Sequence, residues 1–507
     1  MPSEANKRIA KNTLFLYVRM FLAIIVNLYT VRVIWQVLGV DDYGIYNVVG
    51  GIVMMFSFLN GAMVASSQRF ISYELGRKDE ERLNKVFCIS LTVHFLLAVT
   101  VFILAETIGL WFLNHKLNIP EQRMYAANWV YQCSIIAFLV TIVSVPYNAC
   151  IVAHEHMKVY GYLGILEVIL KLVIVFLLIF IGGDKLIVYS ILVLVVALIM
   201  RILYQIYCHR HFSECRFHRV SDRHLMRDMF SFAGWSFIGN LGFSVRDQGL
   251  NIILNLFFNV AVNAAKGIAG QIGAVINGFA ANFQMALNPQ ITKRYASGDT
   301  EGMMNLVFQG CKYSVLLMTI IVVPLIISAE AVLTLWLGDV APYTVGFMQL
   351  TLCLVLVESI VSPITTALQA TGHIRNFQLI ISIIMVMNLP LAWLWLKLDA
   401  NPYLVMIVSI VMSIIGIISR LMLLHGLVPY SYCRYFTEVI LRFFPVVAIS
   451  LILSWWIYTL FPQSLAFLIL WAIISCCITA LTTVAFALNH SEKAMILNYV
   501  IRKLRKA

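Results

Sequence analysis

Arg246 and Lys171 stand near the middle of long apolar runs, about 15 Å or more from either end at 1.5 Å per residue. A cation at that depth in hydrocarbon is expensive, so each is a candidate for holding an anion in a wet cavity. Around Arg246 run Ser236, Asn240, Ser244, Asp247, Asn251 and Asn255 at helical steps of three or four, a polar stripe with the arginine at its flank. The run 12–36 adds Arg19, Asn27, Thr30, Arg32 and Gln36. Cations interleaved with amides suit an anionic, hydroxyl-rich ligand. The candidate binding set is therefore Arg246, Arg19, Arg32, Lys171, Asn240 and Asn251.

These candidates differ in weight. Glu167 lies one turn before Lys171, the favoured order for an i,i+4 pair, so a neutralised structural pair stands equal beside a binding role. Arg19 and Arg32 lie within about two turns of a helix end and have snorkelling as the alternative, and Arg201, Lys312, Arg420 and Arg442 are expected to snorkel outright. Arg246 is the deepest cation without an i,i+4 carboxylate. Neighbouring residues point about 100° apart on a helix, so Asp247 need not neutralise it.

Two carboxylates are suited to coupling. Glu358 sits near the middle of an apolar run, five residues before Pro363, with no basic residue within a turn. It is the first candidate for taking up a proton or sodium in one state and releasing it in another, and Asp247 is the second. No catalytic residue is expected. His154-Glu155-His156 lacks the i,i+4 histidine pair of a zinc hydrolase, and there is no Walker A loop or nucleophile elbow. Cys208, His209, His211, Cys215 and His218 are metal-ligand types, but their spacing matches no structural zinc pattern, so the segment reads as a solvated basic connector with no metal.

The elements that must position these residues are membrane spans. The chain has 507 residues, 61% apolar and only 12% charged, which excludes a soluble fold because too little charge is available to cover its surface. Apolar runs broken by charge or by Gly, Pro and Asn predict about fourteen helices, near 12–36, 44–66, 87–113, 126–153, 160–181, 186–207, 230–257, 267–290, 309–336, 346–370, 377–396, 402–424, 437–459 and 464–488. Of the 36 lysines and arginines, 23 fall on the side shared by the termini and 5 on the other, with the rest inside the runs. The positive-inside rule then puts both termini in the cytoplasm, and the net charge of +12 implies no nucleic acid. Ten cysteines, mostly within apolar runs, read as reduced or buried thiols.

The expected organisation is a six-helix bundle over 1–207, a basic linker over 208–229, a second six-helix bundle over 230–424, and two further helices with a basic tail over 425–507. The bundles carry a repeat. Asn60, Gln68, Tyr73 and Gly76 recur as Asn282, Gln290, Tyr295 and Gly298 at an offset of 222; Pro146, Ala153, His156, Lys158 and Tyr160 recur as Pro363, Ala370, His373, Arg375 and Phe377 at an offset of 217. An even helix number per half gives both halves the same orientation, with the ligand path between them.

Leu38-Gly39-Val40-Asp41-Asp42-Tyr43-Gly44-Ile45-Tyr46, then Ser67-Gln68-Arg69-Phe70 and Gly76-Arg77-Lys78-Asp79-Glu80, resemble the bacterial flippases that export O-antigen and capsule repeat units. These belong to the multidrug, oligosaccharidyl-lipid and polysaccharide exporter superfamily. The first of these motifs marks a turn between the first two helices. The resemblance implies an all-α integral membrane protein of the inner membrane: two pseudo-symmetric bundles in a MATE-like V that opens alternately to cytoplasm and periplasm. It implies an undecaprenyl-pyrophosphate-linked oligosaccharide as substrate, cavity arginines and lysines for the pyrophosphate, H+ or Na+ as coupling ion with no other cofactor, and membrane lipids and polysaccharide polymerase machinery as partners. The rivals are a MATE-type multidrug exporter, whose cationic substrates an arginine-lined lumen would repel, and a membrane polymerase or ligase, which would need a larger outer loop than 114–125.

Overall fold

The computed structural model describes residues 4–54, 57–115, 119–218, 220, 222–258, 260–337, 340–399, 401–460, 465–489 and 492–493. The regular elements among them are all helical: α1 (Glu4–Met54), α2 (Ser57–Arg77), α3 (Glu80–Leu104), α4 (Leu110–His115), α5 (Glu121–Ala153), α6 (Met157–Phe180), α7 (Lys185–His211), α8 (Arg223–Phe257) and α9 (Val260–Ala296). Then follow α10 (Thr300–Ile327), α11 (Ala329–Leu337), α12 (Thr344–Glu358), α13 (Val361–Thr371), α14 (Arg375–Leu398), α15 (Leu404–Leu427), α16 (Tyr432–Tyr435), α17 (Leu441–Leu460) and α18 (Leu465–Thr482). Among the described residues, ten helical stretches are long and apolar enough to cross a membrane, and the chain is a multi-pass membrane protein. α1, α2, α8 and α9 stand outside those ten; α9 carries Asn263, Lys266, Gln271, Asn277, Asn282 and Gln284 among its glycines and alanines.

The expected turn at Leu38–Tyr46 does not form, because α1 runs unbroken through it. No proline lies between Pro2 and Pro120 to stop the helix, and isolated glycines weaken a helix by about 1 kcal/mol without ending it. Asp42 of that motif instead accepts from Arg123 Nε at 2.8 Å, while Arg123 Nη1 reaches Asp184 at 2.6 Å. Asp184 in turn caps α7 through the amides of Leu186 and Ile187, so one arginine ties α1, α5 and α7 together.

The chain divides into two compact units, one of Lys11–Phe237 and one of Met1–Ala10 with Ile238–Ala507, the division falling within α8. In the first, α5 packs against α2, α3 and α7 around Val49, Val130, Tyr131 and Ile135. A π turn at Ala105–Gly109 widens the helix beyond α3, and Tyr131 donates its hydroxyl to the Ala105 carbonyl at 2.7 Å. The start of the basic connector is not solvated as expected. Phe212, Glu214 and Cys215 are buried, and Asn84 Nδ2 of α3 donates to the carbonyls of Glu214 (2.8 Å) and Arg216 (3.1 Å).

In the second unit, α9, α10, α12 and α15 pack around a core that includes Leu254 of α8, Val322, Phe347 and Leu352. α17 and α18 lie along α10. Lys312, expected to snorkel, is buried and bonds both oxygens of Glu492 at 2.7 and 2.9 Å, so the segment after α18 supplies its counter-charge.

The repeat is visible in the backbone. In each unit a residue with positive φ, Lys78 (58°) or Gly298 (82°), precedes an aspartate, Asp79 or Asp299, that caps the next helix. After the conserved-spacing proline, the turn again has positive φ at matched positions, Glu155 (62°) and Gly372 (80°), 217 residues apart.

Candidate functional site

The geometry starts from a break. α12 ends at Glu358 and α13 resumes at Val361, because Pro363 has no N–H to give the carbonyl four residues back at Ser359. Gln284 of α9 donates Nε2 to that carbonyl at 2.9 Å, and the Ile360 carbonyl accepts from Cys311 Sγ at 3.5 Å. An interrupted span whose freed carbonyls are met by neighbouring helices is a stable place for a carboxylate at depth.

Against that break lies Arg246. α14 comes close enough to α8 that a Cβ on Gly242 would meet Ser382 Cα at 3.0 Å, and Ser382 Oγ donates to Ile238 O at 3.0 Å. This close packing lays Met385 over the arginine, whose Nη1 reaches Sδ at 3.6 Å. The same Nη1 donates to Glu358 Oε1 at 2.8 Å, and Nε donates to Asp247 Oδ1 at 2.9 Å. The Arg246 side chain is 7% exposed, Glu358 21% and Asp247 62%, so a buried guanidinium is bracketed by one half-covered carboxylate and one open one. Glu358 does not stand alone as its sequence neighbourhood suggested, since its basic partner comes from α8; Asp247, which need not have neutralised its neighbour, does pair with it.

Two further cations adjoin this pair. Lys266, which the sequence placed in an outer loop, lies inside α9 and donates Nζ to Asn251 Oδ1 at 2.6 Å. Arg420 does not snorkel. It is 2% exposed, stacks its guanidinium 5.9 Å from the Phe377 ring, and has Nε and Nη1 without a hydrogen-bond partner among the described residues. Three cations thus face two carboxylates. Along α8, Asn240, Ser244, Asp247 and Gln248 form an exposed polar face, with Ser236 buried and Asn251 partly covered.

The candidates on the other unit are dispersed. Arg19 lies against α6, its guanidinium 4.7 Å from the Tyr160 ring, where a methyl on Gly164 would collide with it. Lys171 pairs with Glu167 at 2.7 Å, the neutralised arrangement that its spacing allowed. The side chains of Arg32, Asn27, Gln36, Asn60 and Asn255 lie outside the described residues, as does the basic tail beyond Lys493. Of the sequence candidates, Arg246, Asp247 and Glu358 come into direct contact and Asn251 adjoins them through Lys266, while Asn240 lies farther along the exposed face of α8. Lys266 and Arg420 were missed. A lone lysine in a Gly- and Ala-rich helix after a polar stripe was the signal for the first; nothing local marks the second.

Comparison with known proteins sets this site in a family. A family model described as polysaccharide biosynthesis protein matches residues 9–294. The uncharacterized membrane protein EpsK of Bacillus subtilis (strain 168) is 19% identical over 319 residues, 62% of this chain and 63% of that protein, so the match spans less than two thirds of its length. A MATE structure in complex with MaD3S superposes with a TM-score of 0.73 at 14% identity, covering 83% of this chain and 97% of that one. The outward-facing form of a multidrug resistance MATE family transporter of the MOP superfamily gives 0.71 at 16% identity, covering 84% and 97%. A MOP superfamily transporter from Pyrococcus furiosus Vc1 (DSM3638), described as having a binding pocket of reverse polarity, gives 0.67 at 14%, covering 84% and 99%. The structural likenesses establish an all-α, MATE-like fold, and with more than half its length matched, this chain belongs to the polysaccharide biosynthesis protein family.

Proposed function

We propose that the chain is a carrier and not an enzyme, flipping a polyprenyl-pyrophosphate-linked oligosaccharide across the bacterial inner membrane by alternating access, with both termini in the cytoplasm. The observation that carries this reading is the buried Arg246 between Glu358 and Asp247, with Lys266 and Arg420 beside it. A polar face bearing an open carboxylate at membrane depth is too expensive to turn toward lipid, so it lines water. Guanidinium forks match phosphate oxygens bidentately, and the surplus of cations favours an anionic headgroup.

Coupling follows from competition. Glu358 and a pyrophosphate would contend for the same Arg246 fork, and a proton or sodium on Glu358 would free the fork for the substrate. Loss of the ion would return Glu358 to Arg246 and expel the headgroup. Polymerase machinery would take the flipped unit.

The MATE-like fold supports a second reading, a multidrug exporter, with the exposed Asp247 as its cation contact. A deletion strain separates the two. Lipid-linked oligosaccharide made but stranded on the inner leaflet, with reduced surface glycan, supports flipping; normal surface polysaccharide with altered drug sensitivity supports the exporter.

A further inference from the structure

In the unit of Lys11–Phe237, away from the arginine cluster, three thiols and a carboxylate converge where the connector leaves α7. Ligand atoms of Cys150, Glu214 and Cys215 all lie within 4.8 Å of one another, and all three residues are buried. Cys208 is fully buried beside them, its thiol in hydrogen-bond contact with that of Cys215, which also contacts Cys150. The donors come from three places: Cys150 from the last turn of α5, Cys208 from the last turn of α7, and Glu214 and Cys215 from the 3-10 turn after it.

The surroundings fix the carboxylate. His154 Nε2 lies 2.5 Å from Glu214 Oε1, and the His154 ring is itself held by stacking on Phe212 at 4.1 Å between centroids. Ser213 and the Glu214 backbone amide also donate to this carboxylate. A carboxylate whose partner is a stacked imidazole has the outer-shell support typical of a metal ligand. Nothing in the flipping reading uses these residues.

We propose that Cys150, Glu214 and Cys215, with Cys208 as fourth donor, hold a divalent thiophilic cation of the Zn2+ type. Tetrahedral Zn2+ with Zn–S of about 2.3 Å and Zn–O of about 2.1 Å spaces its ligands roughly 3.5–3.8 Å apart. The separations among Cys150, Glu214 and Cys215, at most 4.8 Å, need close by only about 1 Å, within reach of small side-chain rotations, and Cys208 would turn in from its contact with Cys215. Thiolates select this class of ion over Mg2+ or Ca2+, and its two positive charges would offset part of the negative charge that these buried donors carry when ionised. Its consequence is mechanical: the ends of α5 and α7 and the first turn of the connector become one clasp. The sequence spacing hid it because one thiol comes from α5, 58 residues before Cys208.

The test uses purified full-length protein titrated with Co2+. One Co2+ per chain, with an intense thiolate-to-cobalt charge-transfer band and tetrahedral d–d bands displaced by Zn2+, is the expected result. Cys150→Ser and Cys215→Ser should lose the band, Cys133→Ser, a buried thiol elsewhere, should keep it, and His154→Ala should weaken affinity about 10- to 100-fold. No charge-transfer band in the wild type overturns the proposal whatever the variants do, as does an unchanged band in folded Cys150→Ser or a Cys150–Cys215 disulfide in the isolated protein.

Discussion

Arg246 Nη1 donates to Glu358 Oε1 at 2.8 Å across 112 residues of sequence, and the acceptor is the last residue before a helix break that Pro363 enforces. The pair therefore joins a fixed cation on α8 to a carboxylate on the one part of the α12–α13 span that is not held by continuous helical bonding. Any ligand that captures Arg246 must act on that break.

Removing Arg246 takes from Glu358 the guanidinium it pairs with, whereas removing Glu358 leaves the buried Arg246 with the exposed Asp247 alone. Arg246→Ala should lower stability by about 3–5 kcal/mol and Glu358→Ala, which leaves the Asp247 contact, by less, while Arg246→Met combined with Glu358→Gln should recover much of that loss and still not transport. Thermal unfolding of the four proteins in one detergent checks it. Additive losses would mean that the two residues are not coupled.

The break has its own signature. Gln284→Ala strips the Ser359 carbonyl of its donor and should cost about 1–3 kcal/mol. Pro363→Ala restores the missing N–H, so the double variant should be less destabilised than Gln284→Ala alone. A double variant worse than either single one would show that Pro363 does not cause the break.

What could be read beforehand follows periodicity and depth. Apolar runs gave the helices, the stripe through Asn240, Asp247 and Asn251 gave the polar face, and the mid-span position of Arg246 marked it as a candidate. What could not be read was partnership. Arg420 and Lys312 lie near the ends of the apolar runs the sequence predicts, where snorkelling is the default, yet each is buried by a surface from a distant segment: α14 for Arg420 and the stretch at Glu492 for Lys312, which the structure places near the middle of α10. Glu358 looked unpaired because its cation lies on another helix. The cysteine cluster failed for the same reason, since linear spacing cannot show that Cys150 meets Cys215.

The repeated turns predict opposite effects for opposite substitutions. Gly298→Ala and Gly372→Ala, at φ of 82° and 80°, force an L side chain into the left-handed region and should each lose about 1 kcal/mol. Lys78 is exposed at φ 58°, so Lys78→Gly relieves that strain and should gain about 0.5 kcal/mol net of chain entropy. Midpoints of thermal unfolding report both; a destabilised Lys78→Gly would contradict the assignment.

The segment after α18 should detach in acid. Burial works against ionised Glu492, but hydrogen bonds from Lys312 and Tyr313 and the Asn489 amide outweigh it and hold its carboxyl below the ordinary 4.5. A depressed value in the folded state means the contact stabilises above the ordinary carboxylate range and is lost as pH falls through the folded value. Protease sensitivity near Lys493 should therefore rise only below about pH 4.5, the ordinary value cited above. Glu492→Gln should be sensitive at neutral pH and lack the acid step.

Arg420 separates function from folding most sharply. Its guanidinium stays charged, is 2% exposed, and leaves two nitrogens without a partner among the described residues. A buried charge so poorly compensated opposes folding, and an apolar replacement of similar volume is often neutral or stabilising by about 1–4 kcal/mol. Arg420→Met should accordingly unfold at the same temperature as the wild type or higher. If its charge is kept for the headgroup, the same variant should lose export of the lipid-linked oligosaccharide. Both are measured on one preparation, by thermal unfolding and by flipping in reconstituted vesicles. A less stable protein that still flips at the wild-type rate would make Arg420 a structural residue and leave Arg246 and Lys266 to bind the substrate.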